Sequence, residues 1–287
     1  MDVIAYYDGK VGQPDELVVP FNDRSHFFGD GVYDAAMAAN GRIFMLDQHV
    51  DRFFNSAAMF DINIPATKDQ VKELLLGLLA QVEGPSHFVY WQVTRGVQPR
   101  GHAYDPAIQG KLWAYIVPDP MADPSEPLQL ITMEDHRFEY CNAKTLNLMP
   151  AVQYAQAAQM AGVYETVLHR NGVVTECAHS NVVILKGGVL HSHPNDEYIL
   201  PGTAKANLID ACHKAGVPVV EEPFTLDELM DADEVIVTAS SHLCTFVNQI
   251  DGKPVGGKDP ETLACISKVA YASYLEYMGL DELPTTL

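Results

Sequence analysis

The chain has 287 residues, enough for one large domain or two of ordinary size. Hydrophobic residues make up 47% and charged residues 20%, the balance of a globular protein rather than a disordered one. A formal net charge of −20, with a pI of about 4.7, would repel a nucleic-acid backbone, so nucleic acid is not an expected partner.

The opening residues, MDVIAYYDGK, have neither the basic start nor the apolar run of a secretory leader, and none is expected. Asp8-Gly9 lies between strand-like residues and predicts a two-residue hairpin. Thr67 and Gln70 form a capping box ahead of a helix whose apolar stripe is Val71, Leu74, Leu75, Leu78, Leu79 and Val82, with Gly84-Pro85 expected to end it. Within that helix, LLLGLLA is the longest apolar run and is far too short to span a bilayer. HFVYWQVTR and KLWAYIV read as buried strands. Residues 118–127, PDPMADPSEP, hold four prolines and predict a linker. The expected organisation is therefore a small α+β domain over 1–117, the linker, and a larger domain over 128–287.

The second part opens on the strand LQLITM. Pro150 suits the first turn of a helix that Gly162 would close. Asn171-Gly172 and Gly187-Gly188 predict two hairpins, and TAKANLIDACHKAG a helix capped by Thr203 and ended by Gly216. DEVIVTASS reads as a buried strand running into hydroxyls. Hairpin-rich mixed sheets without regular βαβ units predict an α+β class. Five cysteines, odd in number and without a CxxC pair, read as reduced thiols of a cytoplasmic protein.

Several spots carry candidate chemistry. Lys144 is the one formally charged side chain among the 25 residues between Glu139 and Glu165. Such an isolated amine is either a packed lysine with its head in water or a lysine kept neutral enough to attack a carbonyl. Gly252 to Lys258 fits G-x-x-x-x-G-K, but Asp259 stands where a phosphate loop needs Ser or Thr, and no helix is evident directly behind it. A surface hairpin is the expected reading there, with a nucleotide-binding module as the competing one. His191 and His193 share a strand face, yet no third ligand at metal-site spacing accompanies them, and no metal is expected. Gly202 and Thr203 start a helix, where N–H groups can bind phosphate. Ser240 and Ser241 end a strand, Arg52 sits beside two phenylalanines, and Glu176 follows the Asn171-Gly172 turn. An amine, a carboxylate and a phosphate cup are together the parts that pyridoxal 5′-phosphate needs.

With FGDGVYD, HVDRF, VTRGVQPRGH, CNAKTLNLMPAV, HRNGVVTECAHSN, LPGT and VTASS in place, the chain resembles the fold-type IV pyridoxal-phosphate enzymes over essentially its whole length, and among them the D-amino acid aminotransferases most. The resemblance implies two α+β domains flanking the cofactor, Lys144 as the cofactor-bonding and catalytic lysine, and Glu176 as the partner of the ring nitrogen. It implies that Arg52 holds the cofactor's phosphate, with backbone and hydroxyl help around Thr203 and Ser240, and that Ser180, Ala204 and Ser241 also bind the cofactor. Tyr33, Arg100 and His102 would grip the substrate carboxylate, a guanidinium being suited to bidentate contact. The implied substrates are D-alanine or D-glutamate type amino acids and 2-oxo acids, and the implied assembly is a cytoplasmic homodimer with the loop bearing Arg100 and His102 reaching across. Amine transaminases of (R) selectivity, branched-chain aminotransferases and aminodeoxychorismate lyases share the fold and remain alternatives, although NLMPA stands where the lyases have a charged stretch. Two positions depart from the pattern. Asp34 replaces the usual glutamate, and the helix start reads Gly-Thr-Ala-Lys in place of Gly-Ile-Thr-Arg.

Overall fold

The computed structural model describes Val3 to Thr286, so the expected outer domain limits at residues 1 and 287 lie outside the described residues. The chain divides into two compact units. The first runs through Met121 and takes in Ala143–Asn147 and the chain from Tyr277. The second comprises Ala122–Asn142 and Leu148–Glu276.

The first unit holds β1 (Ile4–Tyr7), β2 (Lys10–Gly12), α1 (Ser25–Phe28), β3 (Gly31–Ala39), β4 (Arg42–Ile43), α2 (Leu46–Ala58), α3 (Lys68–Leu79), β5 (His87–Thr94) and β6 (Lys111–Pro118). Its sheet runs β2-β1-β6-β5-β3-β4 with antiparallel pairing throughout. The β1–β2 turn places Asp8 and Gly9 at φ 46° and 91°, the left-handed pair that a two-residue hairpin requires. Alternation along the strands decides what each face does. Val32, Ala36 and Ala38 of β3 join Val89, Trp91 and Val93 of β5 and Ala114 and Ile116 of β6 in one core, closed by Val50 and Phe53 of α2 and Val71, Leu75 and Leu78 of α3. Each of the larger side chains among them contributes about 1.5–3 kcal/mol on burial. The other face carries an aromatic row in which Tyr33 stacks on Tyr90 and Tyr90 lies tilted against Trp113, with centroids 5.3 Å apart in both pairs. Helix α3 has the Thr67–Gln70 capping box but stops at Leu79, short of Gly84. Gln81 N and Val82 N bond to carbonyls only three residues back, which tightens the chain out of the α-helix ahead of β5.

The second unit holds β7 (Leu128–Glu134), α4 (Met149–Met160), β8 (Glu165–Arg170), β9 (Val173–Cys177), β10 (Asn181–Lys186), β11 (Val189–Ser192), α5 (Thr203–Ala215), β12 (Val219–Glu221), α6 (Leu226–Met230), β13 (Glu234–Thr238), β14 (Thr245–Ile250), β15 (Lys253–Pro254) and α7 (Pro260–Met278), whose last residues group with the first unit. The mixed sheet runs β12-β11-β10-β13-β14-β7-β8-β9, with β15 hairpinned onto β14. Both expected hairpins form, with Asn171, Gly172, Gly187 and Gly188 all at positive φ.

Three local expectations are corrected. Lys144 groups with the first unit, because Tyr33 N donates to Lys144 O at 2.9 Å and Leu146 N to Gly31 O at 3.0 Å, pairing the lysine segment with the edge of β3. The N-cap of α5 is Gly202, and Thr203 is its first helical residue. A helix does follow Gly252 to Lys258, since α7 begins at Pro260. The loop's amides are nevertheless occupied, Gly257 N and Asp259 N donating to the buried Glu234 carboxylate at 2.9 and 2.8 Å. An internal carboxylate thus sits where a phosphate would have to bind. Among the described residues no helix is long and apolar enough to cross a membrane.

Candidate active site

In the first unit, the sequence puts two adjacent residues of β3 to different uses because their side chains point to opposite faces. Tyr33 faces the aromatic side, and the Lys144 amine lies 4.5 Å from its ring centroid. Asp34 faces the core, where its buried carboxylate accepts from Arg52 Nε at 2.9 Å, Arg52 Nη2 at 2.8 Å and its neighbour's amide, Ala35 N. His49 Nδ1 lies 2.7 Å from the same carboxylate. Burial alone would raise the Asp34 pKa, but Arg52 and His49 outweigh it and hold the carboxyl well below the usual range. Burial also lowers the His49 pKa, against the pull of the Asp34 carboxylate beside it. His49, Arg52 and Ser56 share one face of α2 at spacings of three and four. Ser56 Oγ accepts from Lys144 N at 3.0 Å, so the helix that carries the arginine also tethers the lysine backbone. Gly31 permits this approach, because a Cβ there would meet Leu146 Cδ1 and Val93 O at 2.6 Å. Arg100 and His102 are exposed, and both lie on the Phe28 ring, at 5.3 Å each.

In the second unit Glu176 is buried in β9 and no exposed strand end. Its Oε1 accepts from Arg137 Nη1 at 2.6 Å, and its Oε2 from Asn181 Nδ2 at 2.9 Å and Leu200 N at 3.0 Å. Burial opposes charge on Arg137, but Glu176 and Asp135 prevail and raise its pKa, so a fixed cation faces the Glu176 carboxylate. Strand pairing of Asn181 with Thr238 brings the start of β10 beside the end of β13, just before Ser240 and Ser241. Gly202 approaches the same corner so closely that a Cβ would meet Asn181 Oδ1 at 1.9 Å. One end of the sheet therefore gathers Glu176, Ser180, the two serines and the start of α5 with its buried Thr203 and Ala204. Ser180 Oγ donates to the buried Glu165, whose carboxyl is pushed up by burial. Ser241 Oγ lies 3.0 Å from His242 Nδ1.

The donor set fits pyridoxal phosphate. Gly202, the N-cap, has no side chain with which to occupy the first-turn amides of α5, which suits a phosphate. The Glu176 carboxylate has the charge that a protonated ring nitrogen needs, and Lys144 supplies an amine. A second lysine, the buried Lys205, is committed elsewhere: its amine donates to His193 O at 3.1 Å, with Glu221 at 3.7 Å, and burial lowers its pKa. His193 is tied through both ring nitrogens to Val174 O and Asp196, and the described residues contain no cluster fit for a metal.

Similarity to known proteins agrees with this donor set. The amino-transferase class IV pattern matches residues 31–250. The chain belongs to the class IV aminotransferases. It is 40% identical over 255 residues to a D-alanine aminotransferase of Listeria monocytogenes, covering 86% of this chain and 88% of the relative. It is 34% identical over 259 residues to one of Bacillus licheniformis, covering 90% and 92%. Its fold matches the branched-chain aminotransferase of Thermoproteus uzoniensis with norvaline at TM-score 0.86 and 22% identity, over 97% of this chain and 96% of that one. A branched-chain amino acid aminotransferase of T.th. with pyridoxamine 5′-phosphate matches at TM-score 0.87 and 22% identity, over 96% and 94%. This aminotransferase is a pyridoxal-phosphate enzyme of the α+β, fold-type IV class.

Sequence reasoning missed the residues that hold the others. Arg137 stands in the charged run EDHRFEY and looks like a surface residue, so nothing in its surroundings pointed to Glu176. His49, Ser56 and Asn181 lie in or beside recognisable motifs, and the helical spacing from His49 to Ser56 was the signal available.

Proposed function

We propose that this aminotransferase transfers the amino group of D-amino acids, of the D-alanine and D-glutamate type, to 2-oxo acids. Pyridoxal phosphate supplies, when bound, a ring that accepts electrons as the substrate's Cα loses its proton. The Lys144 amine bonds the cofactor and carries that proton. Glu176 keeps a proton at the ring nitrogen, with Arg137 and Asn181 holding its two oxygens. The α5 start at Thr203 and Ala204, with Ser180, Ser240, Ser241 and Arg52, takes the phosphate, and Asp34 fixes the plane of the Arg52 guanidinium. Arg100, His102 and Tyr33 take the substrate carboxylate. The reading includes a homodimer in which a second copy supplies the loop with Arg100 and His102, and a reducing cytoplasmic setting that suits five free cysteines.

The observation that carries the substrate class is the grouping of the Arg100 guanidinium and the His102 imidazole on one Phe28 ring, two donors for one carboxylate. The test compares kcat/KM for D-alanine, L-alanine, L-leucine and (R)-1-phenylethylamine in the wild type and Arg100→Ala. D-alanine is the expected best substrate, and Arg100→Ala should cost it about 1.5–3 kcal/mol, the scale of a charge-assisted hydrogen bond. The amine, which has no carboxylate, should lose little. L-leucine as the best wild-type substrate, or D-alanine turnover untouched by Arg100→Ala, refutes the reading.

A further inference from the structure

Arg100 and His102 sit on an exposed loop, and exposed side chains have little packing to hold them in place. What holds this loop is buried. Arg24, 3% exposed, donates from Nη1 to Gly101 O at 2.6 Å and from Nη2 to His102 O at 3.1 Å. Its Nε donates to Asp30 Oδ2 at 2.7 Å, and its guanidinium carbon lies 4.9 Å from the Phe28 ring centroid, the ring on which Arg100 and His102 also rest. Arg95 shares Asp30, its Nε lying 2.9 and 3.0 Å from the two oxygens, and its guanidinium carbon lies 3.8 Å from the Tyr104 ring centroid. The loop's near end is stapled to the same segment, with Arg24 N on Gly96 O and Gln98 N on Asn22 O, both at 3.0 Å. One carboxylate between two guanidiniums thus fixes the backbone on both sides of His102.

We propose that Arg24, supported by Asp30 and Arg95, is a positioning residue for substrate recognition. It presets the loop so that Arg100 and His102 meet a carboxylate without first paying the entropy of ordering it. The inference rests on the reading that Arg100 and His102 bind the substrate carboxylate. A lysine cannot replace Arg24, because one ammonium lacks the planar fork that spans two successive carbonyls and a carboxylate.

The experiment uses the holoenzyme of the wild type, Arg24→Lys, Asp30→Asn and, as a control for general loosening, Val71→Ala in the α3 core. Hydrogen exchange at the amides of 101–104 is measured alongside KM and kcat for D-alanine and cofactor retention on dialysis. Arg24→Lys should speed exchange across 101–104 and raise KM on the order of tenfold, with kcat within about twofold and the cofactor retained. Asp30→Asn should move KM the same way and more weakly, and it serves as the test variant if Arg24→Lys does not fold. Val71→Ala should lower Tm without raising KM. Unchanged exchange, or a KM that moves no further than in Val71→Ala, overturns the role of Arg24. A wild type indifferent to D-alanine instead sinks the substrate reading and the proposal with it. The two failures are thereby distinguishable.

Discussion

Gly202→Ala should destabilise the protein, although its backbone gives no reason for it. At φ −68° and ψ 131° the position accepts any L-residue. Losing glycine's freedom in the unfolded chain would gain about 0.4–1 kcal/mol, and exchanging glycine for alanine at an N-cap would cost a similar amount. The deciding contact is steric: the new Cβ would lie 1.9 Å from Asn181 Oδ1 and 3.2 Å from its Cγ. Asn181 must withdraw, giving up its bonds to Glu176 Oε2 and Leu200 O. The first is charge-assisted, worth about 1.5–3 kcal/mol, and the second is worth about 1 kcal/mol. The expected loss is about 2.5–4 kcal/mol, a fall in Tm of roughly 4–7 °C at about 2.1 cal/mol/K of unfolding entropy per residue. Urea unfolding of the wild type, both single variants and Gly202→Ala/Asn181→Ala measures it. With Asn181 already truncated the clash is gone, so adding Gly202→Ala should then cost less than about 1 kcal/mol. A neutral Gly202→Ala, or an equal cost in both backgrounds, would falsify the argument that Asn181 links the α5 start to Glu176.

Glu176→Gln should retain the cofactor and slow turnover on the order of 10²-fold, because an amide cannot hold a proton on the ring nitrogen. Cofactor absorbance and single-turnover rates check this, and undiminished turnover by a fully loaded enzyme rules Glu176 out as the ring partner. His242 gives a pH dependence of definite sign. Burial first, then the charge of His179, pulls its pKa from the ordinary 6.5 down to about 4. Between these values the unfolded chain binds the proton and the folded one does not, so this contribution to stability is complete above about pH 6.5 and falls away toward pH 4. Unfolding free energies measured from pH 4 to 8 should flatten over that interval in His242→Gln, and a slope identical to wild type would remove His242 as its source.

Local conformational chemistry was legible without a fold. Asp8-Gly9, Asn171-Gly172 and Gly187-Gly188 adopt the turns their residues prefer, because positive φ is a property of the residue itself. Thr67 caps α3 through Gln70 for the same reason, a bond closed within four residues. The end of α3 was not legible. Gly84 is a strong stop signal, but the chain leaves the helix at Leu79 so as to reach β5, and that demand comes from the sheet. Thr203 was a sound cap by type, yet it lies inside α5 because Gly202 alone fits against Asn181.

The sequence by itself determined the class of the protein and singled out the candidate reactive groups. The isolation of Lys144, the Glu176 strand, the Gly202-Thr203 helix start and the Pro-Arg-Gly-His loop are all covalent facts, fixed in their order. Tertiary structure alone decided what those groups lean on. Lys144 bonds through its backbone to β3 and to Ser56 of α2, and Arg52 meets an aspartate on the core face of β3. Glu176 faces Arg137 from 39 positions away, and Arg24 holds carbonyls 77 and 78 positions on. Such partners are set by strand pairing and by which face of a strand or helix a side chain occupies. That information exists only once distant segments have been brought together, since a buried carboxylate can take its counter-charge from any element that packs against it.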